Sequence, residues 1–313
     1  MTIAIIGAQG FIGRHVVSHL LAHGVGRLVL LSRHPPSTTA AAGVPGTVWR
    51  RADLTDEIAL TDALVDADVI VNLAWPGEAA DPEVWCGALA GAVLAREGRH
   101  LVHCSTAVVA GRTRARVVVE STPPHPVTPY ERQKLRAEEV LTTRLGGRAP
   151  LTVARPTAVF GPGGRNLLAL ADALRRDDVA RATVRRMLFG DRAMHLVPVE
   201  TVAEALHMLA THAPPTEPVT LHVAADDDPE NTYRCVERRL AAGLGLAQTG
   251  WPPFTLPSAV LSLALRARRR SDTSAHRHYS GEALRAAGFV TTCAVGPAVE
   301  RYGQWLASGG RVP

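Results

Sequence analysis

Residues 2–13 read TIAIIGAQGFIG, an apolar run that meets Gly7, Gly10 and Gly13 and then enters an amphipathic stretch. A short buried strand, a glycine turn and a helix in that order constrain a chain more than any other feature here. Glycine lets the backbone approach an anion closely, and the N-terminus of the following helix offers N–H groups and a positive dipole end. A tight strand–helix turn is the other use of such glycines. Either way, a strand that runs into a helix must find its next strand by a crossover, which makes a parallel sheet.

The rest of the chain repeats that unit. Strands are expected over 28–32, 47–51, 69–74, 101–105, 151–155 and 220–225. Helices are expected over 11–23, where Gly24 terminates, over 56–65, over 82–96 and from Pro129 onward. Near-continuous apolar strands such as DVIVNLA suit a sheet covered on both faces. The pattern predicts an α/β fold, a Rossmann-type doubly wound parallel sheet with a smaller, mostly C-terminal substrate-binding lobe. The dinucleotide-binding domain is expected over 1–165 with 195–225 returning to it, and the lobe over 166–194 and 226–313. Within the lobe, 167–175 reads as helix and 183–188 as strand. VPVETVAEALHMLA reads as a helix entry and body. Pro-broken helices are expected over 256–268, 281–287 and 297–307.

Composition excludes several classes. Of 313 residues, 46% are hydrophobic and 20% charged, which suits a globular chain. No stretch approaches the roughly 18 apolar residues of a membrane span, and no secretory signal pattern is seen, so a cytoplasmic location is expected and no membrane partner. Cys86, Cys104, Cys235 and Cys293 form no CxxC pair, and the thirteen histidines are scattered, so no metal is expected. His276 and His278 read as a surface pair. Net charge is +5, but the arginines are dispersed apart from Arg266–Arg270, and no nucleic-acid motif accompanies them. Anionic small ligands account for the balance.

The end of the second strand discriminates cofactors. An acidic residue there would bind a ribose 2′-hydroxyl and repel a 2′-phosphate. The segment LLSRH has Ser32 and Arg33 instead, which favours NADP(H) over NAD(H). Asp53, in RADLTD, is a candidate for the adenine amino group, with a helix N-cap as its competing role.

The chain holds one lysine, Lys134, in TPYERQK. A sole lysine would stand four after one of the four tyrosines about once in eighty placements. Thr128, Pro129 and Glu131 form a capping-box pattern that starts a helix just before Tyr130. Tyr130 and Lys134 then share one helix face. A free tyrosine has a pKa of about 10, and a nearby ammonium stabilises its phenolate, so the pair suits proton exchange with a carbonyl/alcohol couple.

At this point the residues carry a resemblance to the extended short-chain dehydrogenase/reductases and, within them, the NAD(P)-dependent epimerase/dehydratase family. GxxGxxG at Gly7–Gly13, the Asp53–Leu54 pair, VIVNLAW, LVHCSTAVVAG, Tyr130 with Lys134, ARPTAVFGPGG and VPVETVAEAL each match a family segment. The resemblance implies hydride transfer between a nicotinamide and a carbinol carbon. It implies that Tyr130 exchanges the hydroxyl proton. Lys134 is implied to bind the nicotinamide ribose and lower the tyrosine pKa. Thr106 is implied to hydrogen-bond the substrate oxygen, with Ser105 as the neighbouring alternative. Implied cofactor contacts come from Gly7, Gln9, Gly10, Phe11, Ile12 and Gly13, from Ser32 and Arg33, from Asp53, Leu54, Leu73 and Ala74, and from Pro156. Trp75, Thr106, Arg165, Asn166, Arg185 and also Arg186 are candidates for holding a nucleotide-sugar substrate. A helix-bundle homodimer is the family's usual assembly.

Departures from the family pattern narrow the reaction. The family's 4,6-dehydratases place Asp-Glu directly after the catalytic Thr, whereas Ala107 and Val108 stand here and move no proton. The usual V-Y-G tyrosine is Ala110. An NADPH-dependent ketoreductase acting at C4 of a nucleotide-linked keto-deoxysugar, of the kind used in antibiotic deoxysugar pathways, is the preferred reading. A 4-epimerase with retained cofactor is the alternative, and a non-catalytic NADP-binding sensor is the reading from another class.

Overall fold

The computed structural model describes residues 1–35, 45–247, 250–252, 254–257 and 277–310. Most of the expected helix over 256–268, the basic run Arg266–Arg270, Pro253 and His276 lie outside the described residues.

In chain order the elements are β1 (Thr2–Ile6), α1 (Phe11–Ala22), β2 (Arg27–Ser32), β3 (Thr47–Arg51), α2 (Glu57–Ala63), β4 (Val69–Asn72), α3 (Pro82–Leu94), β5 (His100–Cys104), β6 (Val117–Val118), α4 (Pro129–Leu145), β7 (Leu151–Pro156), β8 (Ala158–Phe160), α5 (Leu168–Arg176), α6 (Val179–Phe189), β9 (Leu196–Pro198), α7 (Val199–Thr211), β10 (Val219–Val223), α8 (Tyr233–Gly243), β11 (His278–Tyr279), α9 (Glu282–Ala286) and α10 (Val295–Ala307). The main sheet runs β3-β2-β1-β4-β5-β7-β10. The neighbours from β3 to β7 pair in parallel. Strand order reverses at β1, which lies between β2 and β4, so the glycine loop after β1 sits at the topological switch point where α/β sheets bind ligands.

Local chemistry sets the helix starts. Asp56 caps α2 by accepting from the Ala59 N–H, and Asp81 caps α3, whose first residue is Pro82. The capping box of α4 is present in both directions, and Gly146 ends that helix in the left-handed region. Strands β4 and β5 are buried along their whole length.

The chain divides into two compact units. The first comprises Met1–Val109, Thr128–Arg155 and Val202–Leu221. Its core packs Leu60, Leu64, Trp85, Leu89 and Leu141 against Ala4, Ile70 and Leu101 of the sheet. The second comprises Ala110–Val127, Pro156–Thr201 and His222–Pro313. Phe160, Val236, Leu240, Val299 and Tyr302 belong to its core. Helices α8 and α10 approach closely there: a Cβ on Gly243 would stand 2.2 Å from the Glu300 carbonyl oxygen.

The compact units divide the chain differently from the expected domains, and one expected strand is helix. Residues 110–127 and 156–165, expected with the first domain, fall in the second unit, because β6 pairs with β11 and β8 with β9. The segment expected to return to the first domain, 195–225, does so only over Val202–Leu221. The strand expected over 183–188 is part of α6, which starts where Asp178 caps the Arg181 N–H. Among the described residues no helix is long and apolar enough to cross a membrane.

Candidate active site

The glycine loop is shaped by contacts that exclude a side chain. Gly7 has φ +85°, and a Cβ there would stand 2.9 Å from the Ala74 backbone nitrogen. A Cβ on Gly13 would stand 2.2 Å from the Gly7 carbonyl oxygen. Gly10 is the N-cap of α1 and offers no side-chain cap, so the first-turn N–H groups of α1, which include those of Phe11 and Ile12, are left to a ligand or solvent. This cradle fits a dinucleotide pyrophosphate.

The end of β2 is organised by Gln9 reaching across from the loop. Ser32 Oγ donates to Gln9 Oε1 at 2.7 Å, the His34 N–H donates to Ser32 Oγ at 3.2 Å, and Gln9 Nε2 donates to the His34 carbonyl at 3.1 Å. Arg33 is exposed. Asp53 accepts from the Thr55 N–H at 2.9 Å and Thr55 Oγ1 at 2.8 Å. Those bonds and the Arg33 charge hold its carboxyl below the usual carboxylate range. Asp53 is not the N-cap its position allowed, since Asp56 takes that role. The Leu54 side chain is in the core, which leaves only its backbone for a ligand.

After β4, the Leu73 N–H donates to the Ile6 carbonyl at 2.9 Å. The Ala74 N–H donates to Asn72 Oδ1 at 3.1 Å, and Asn72 Nδ2 meets His103 Nδ1 at 3.1 Å. Burial, with Lys134 nearby, holds His103 well below the usual imidazole range, so it is neutral. Asn72 and His103 fix the strand end that carries Leu73, Ala74 and Trp75. Sequence reasoning did not single them out as site residues, although the apolar strand VIVNLAW displays Asn72 as its one buried amide.

Helix α4 brings Tyr130 and Lys134 to the end of β5. Lys134 is buried, and its Nζ donates to the Cys104 carbonyl oxygen at 2.8 Å. Burial pulls the Lys134 pKa down, while Cys104, Glu138 and Cys86 push it up. Thr106 neighbours Tyr130, and the Trp75 ring packs edge-on against Tyr130 with centroids 4.9 Å apart. Burial, then the neighbouring Cys104, push the Tyr130 phenol up, and Thr106 pulls the other way. Desolvation of the phenol therefore sets the direction of the shift, while the Lys134 ammonium is engaged with a carbonyl. Ser105 donates its backbone N–H to Ala154 at 2.8 Å, and its buried hydroxyl has no partner among the described residues.

One turn beyond Lys134, Glu138 forms a buried pair with Arg155, with Nη2 to Oε2 at 2.5 Å. This ties α4 to the end of β7, just before Pro156, which belongs to the second unit.

The remaining candidates lie in the second unit. Arg165 is exposed, and Asn166 Nδ2 donates to the Val159 carbonyl at 2.7 Å. Arg185 bonds Asp177, and its Nε donates to Tyr233 Oη at 2.6 Å. Arg186 Nε meets Glu237 Oε1 at 2.5 Å. The carboxylates of Asp177 and Glu237 thus supply the negative charge that a phosphate was expected to bring to these two arginines. The histidines that read as scattered are not all so: His19, His23 and His207 come together in the first unit.

Residues 3–221 match the NAD dependent epimerase/dehydratase family. The chain belongs to that family. Among curated relatives, it is 28% identical over 185 residues to the 4-hydroxy-2-methyl-3-oxo-4-farnesyl-3,4-dihydroquinoline-1-oxide ketoreductase of Stigmatella aurantiaca, covering 55% of this chain and 54% of that one. It is 28% identical over 177 residues to the UDP-glucose 4-epimerase of Streptomyces lividans, covering 52% of each. The chain thus spans about half the length of the curated relatives it matches. Among solved structures, MoeE5 in complex with UDP-glucuronic acid and NAD superposes with a TM-score of 0.70 at 21% identity, covering 99% of this chain and 100% of that one. At that identity the likeness establishes the shared fold.

Proposed function

We propose that this family member is an NADPH-dependent ketoreductase, with Tyr130 as proton donor to a substrate carbonyl oxygen. The observation that carries the reading is the nearness of Tyr130 to Thr106 on the helix whose buried Lys134 bonds the Cys104 carbonyl. Bound in the glycine cradle, a nicotinamide dinucleotide would supply the hydride. Gly7, Gly10 and Gly13 with the first turn of α1 would hold its pyrophosphate, and Ser32 and Arg33 its adenosine end. The raised Tyr130 pKa keeps the phenol protonated at neutral pH, which is the form an acid needs. Thr106 would share the carbonyl oxygen with that hydroxyl. Lys134 positions the end of β5 through Cys104 and puts a positive charge behind the site. Ala107 and Val108 supply no acid or base, which separates this chain from dehydration chemistry.

The substrate class we propose is a nucleotide-linked 4-keto-6-deoxyhexose. The Stigmatella relative is named as a ketoreductase, which supports the reaction type. The Streptomyces relative is named as a UDP-glucose 4-epimerase, which favours a second reading in which one carbon is oxidised and reduced again on a retained cofactor. Purified protein incubated with NADPH and a 4-keto-6-deoxy nucleotide sugar separates the two. Stoichiometric NADPH consumption supports the reductase. Failure to consume NADPH, together with equilibration of hexose 4-epimers without added cofactor, replaces it with the epimerase. Binding of NADPH without turnover of either kind would point to a sensor.

A further inference from the structure

Helix α1 starts at the glycine cradle and ends at a group of three imidazoles outside the candidate active site. His19 and His23 stand four apart at its C-terminal end, and His207 comes from α7. One ring nitrogen from each lies within 4.8 Å of the other two. His19 Nε2 and His207 Nδ1 are 3.1 Å apart. Two nitrogens bound to a tetrahedral zinc at about 2.0–2.1 Å stand roughly 3.3 Å apart, so this pair already has close to the separation of two ligands. His23 Nδ1 lies 2.8 Å from the His19 carbonyl oxygen. A carbonyl only accepts, so Nδ1 carries the proton and Nε2 of His23 is left with its lone pair. A ligating histidine commonly uses its second ring nitrogen in this way, and the bond fixes both tautomer and orientation. The His19 and His23 rings stack with centroids 4.0 Å apart, and His207 stands 5.1 Å and 5.5 Å from them. Glu204, one turn before His207, adds a negative charge near His19.

We propose that His19, His23 and His207 bind one borderline divalent metal ion of the imidazole-preferring class, Zn²⁺, Cu²⁺ or Ni²⁺, and that the ion clamps the end of α1 to α7. Three nitrogens with no thiolate suit that class and disfavour Mg²⁺ or Ca²⁺, which seek oxygen. Water completes the coordination, since His23 is exposed and the site opens to solvent.

The test uses the full chain with any affinity tag removed, because a polyhistidine tag would bind the same ions. Zn²⁺ is titrated calorimetrically into the wild type and into the His19→Gln, His23→Gln and His207→Gln variants. Circular dichroism and the melting temperature without metal establish that each variant is folded. The expected result is one strong site per chain, weakened at least tenfold by each substitution. Zn²⁺ at a hundredfold excess over its dissociation constant should raise the wild-type melting temperature by roughly 5 °C and leave the triple variant unmoved. Cu²⁺ should give an electron paramagnetic resonance spectrum with coupling to more than one imidazole nitrogen. Absence of saturable Zn²⁺ binding, or unchanged affinity in folded His207→Gln, would overturn the assignment.

Discussion

The Lys134 ammonium donates to the Cys104 carbonyl oxygen at 2.8 Å, joining the first half of α4 to the last residue of β5. Two residues beyond Cys104 stands Thr106, and four residues before Lys134 stands Tyr130. One hydrogen bond between a side chain and a backbone carbonyl therefore ties the helix that carries the phenol to the strand end that leads to the Thr106 hydroxyl.

Lys134→Arg keeps the charge but puts a broad planar fork into a buried slot made for a compact ammonium. Turnover is expected to fall about 100-fold with the fold retained by circular dichroism. Wild-type kinetics in this variant would mean that the sole lysine has no special place.

His100 gives the fold a pH dependence of known sign. It is buried and bonded to Thr152 Oγ1 at 3.0 Å, and burial lowers its pKa to about 4. The unfolded chain binds that proton at about 6.5, so its share of stability is fully present above that pH and is lost as pH falls towards 4. The loss amounts to about 3 kcal/mol over the window, at about 1.4 kcal/mol per pH unit. Urea melts of wild type and His100→Gln at several pH values check this: the variant's stability should fall less between pH 6.5 and 4, and parallel curves would refute it.

The Arg155–Glu138 pair is the test of what holds α4 against β7. Replacing one partner leaves the other charge buried, so Arg155→Met is expected to cost about 3–5 kcal/mol. Arg155→Met with Glu138→Leu should recover most of that loss. Urea denaturation of the single and double variants measures both. A double variant as unstable as the single one would assign the loss to packing rather than to the stranded carboxylate.

How much of this was readable beforehand depends on the range of the forces involved. The strands β1, β2 and β4 were legible because burial on both faces leaves an apolar run with no alternation. Tyr130 and Lys134 were legible because a capping box and a four-residue spacing are local. The segment 183–188 misled because Thr183 and Val184 favour strands, while the Asp178 cap that starts α6 lies five residues upstream. Helix α8 went unread, although Thr232 caps the Cys235 N–H in the same local way. Non-local contacts left no such trace. His19 and His207 are separated by 188 positions, and nothing in either neighbourhood announces the other. The partnering of Arg185 and Arg186 with Asp177 and Glu237 was hidden in part for the same reason. The bond from the Lys134 ammonium to the Cys104 carbonyl was hidden in the same way, across 30 positions.

Arg33 carries the cofactor preference in this account. Arg33→Asp should raise the KM for NADPH about 10- to 100-fold, the worth of a lost charge-assisted bond, while sparing NADH. Steady-state kinetics with both cofactors measure the ratio. An unchanged preference would remove Arg33 from the cofactor site.

The central claim is that Tyr130 donates the proton in a carbonyl reduction. The most direct measurement is NADPH oxidation by folded Tyr130→Phe with a 4-keto-6-deoxy nucleotide sugar, alongside NADPH binding followed by fluorescence. The account predicts a fall in kcat of about 1,000-fold with NADPH affinity kept within about threefold of wild type. Turnover near the wild-type rate in that variant would contradict it.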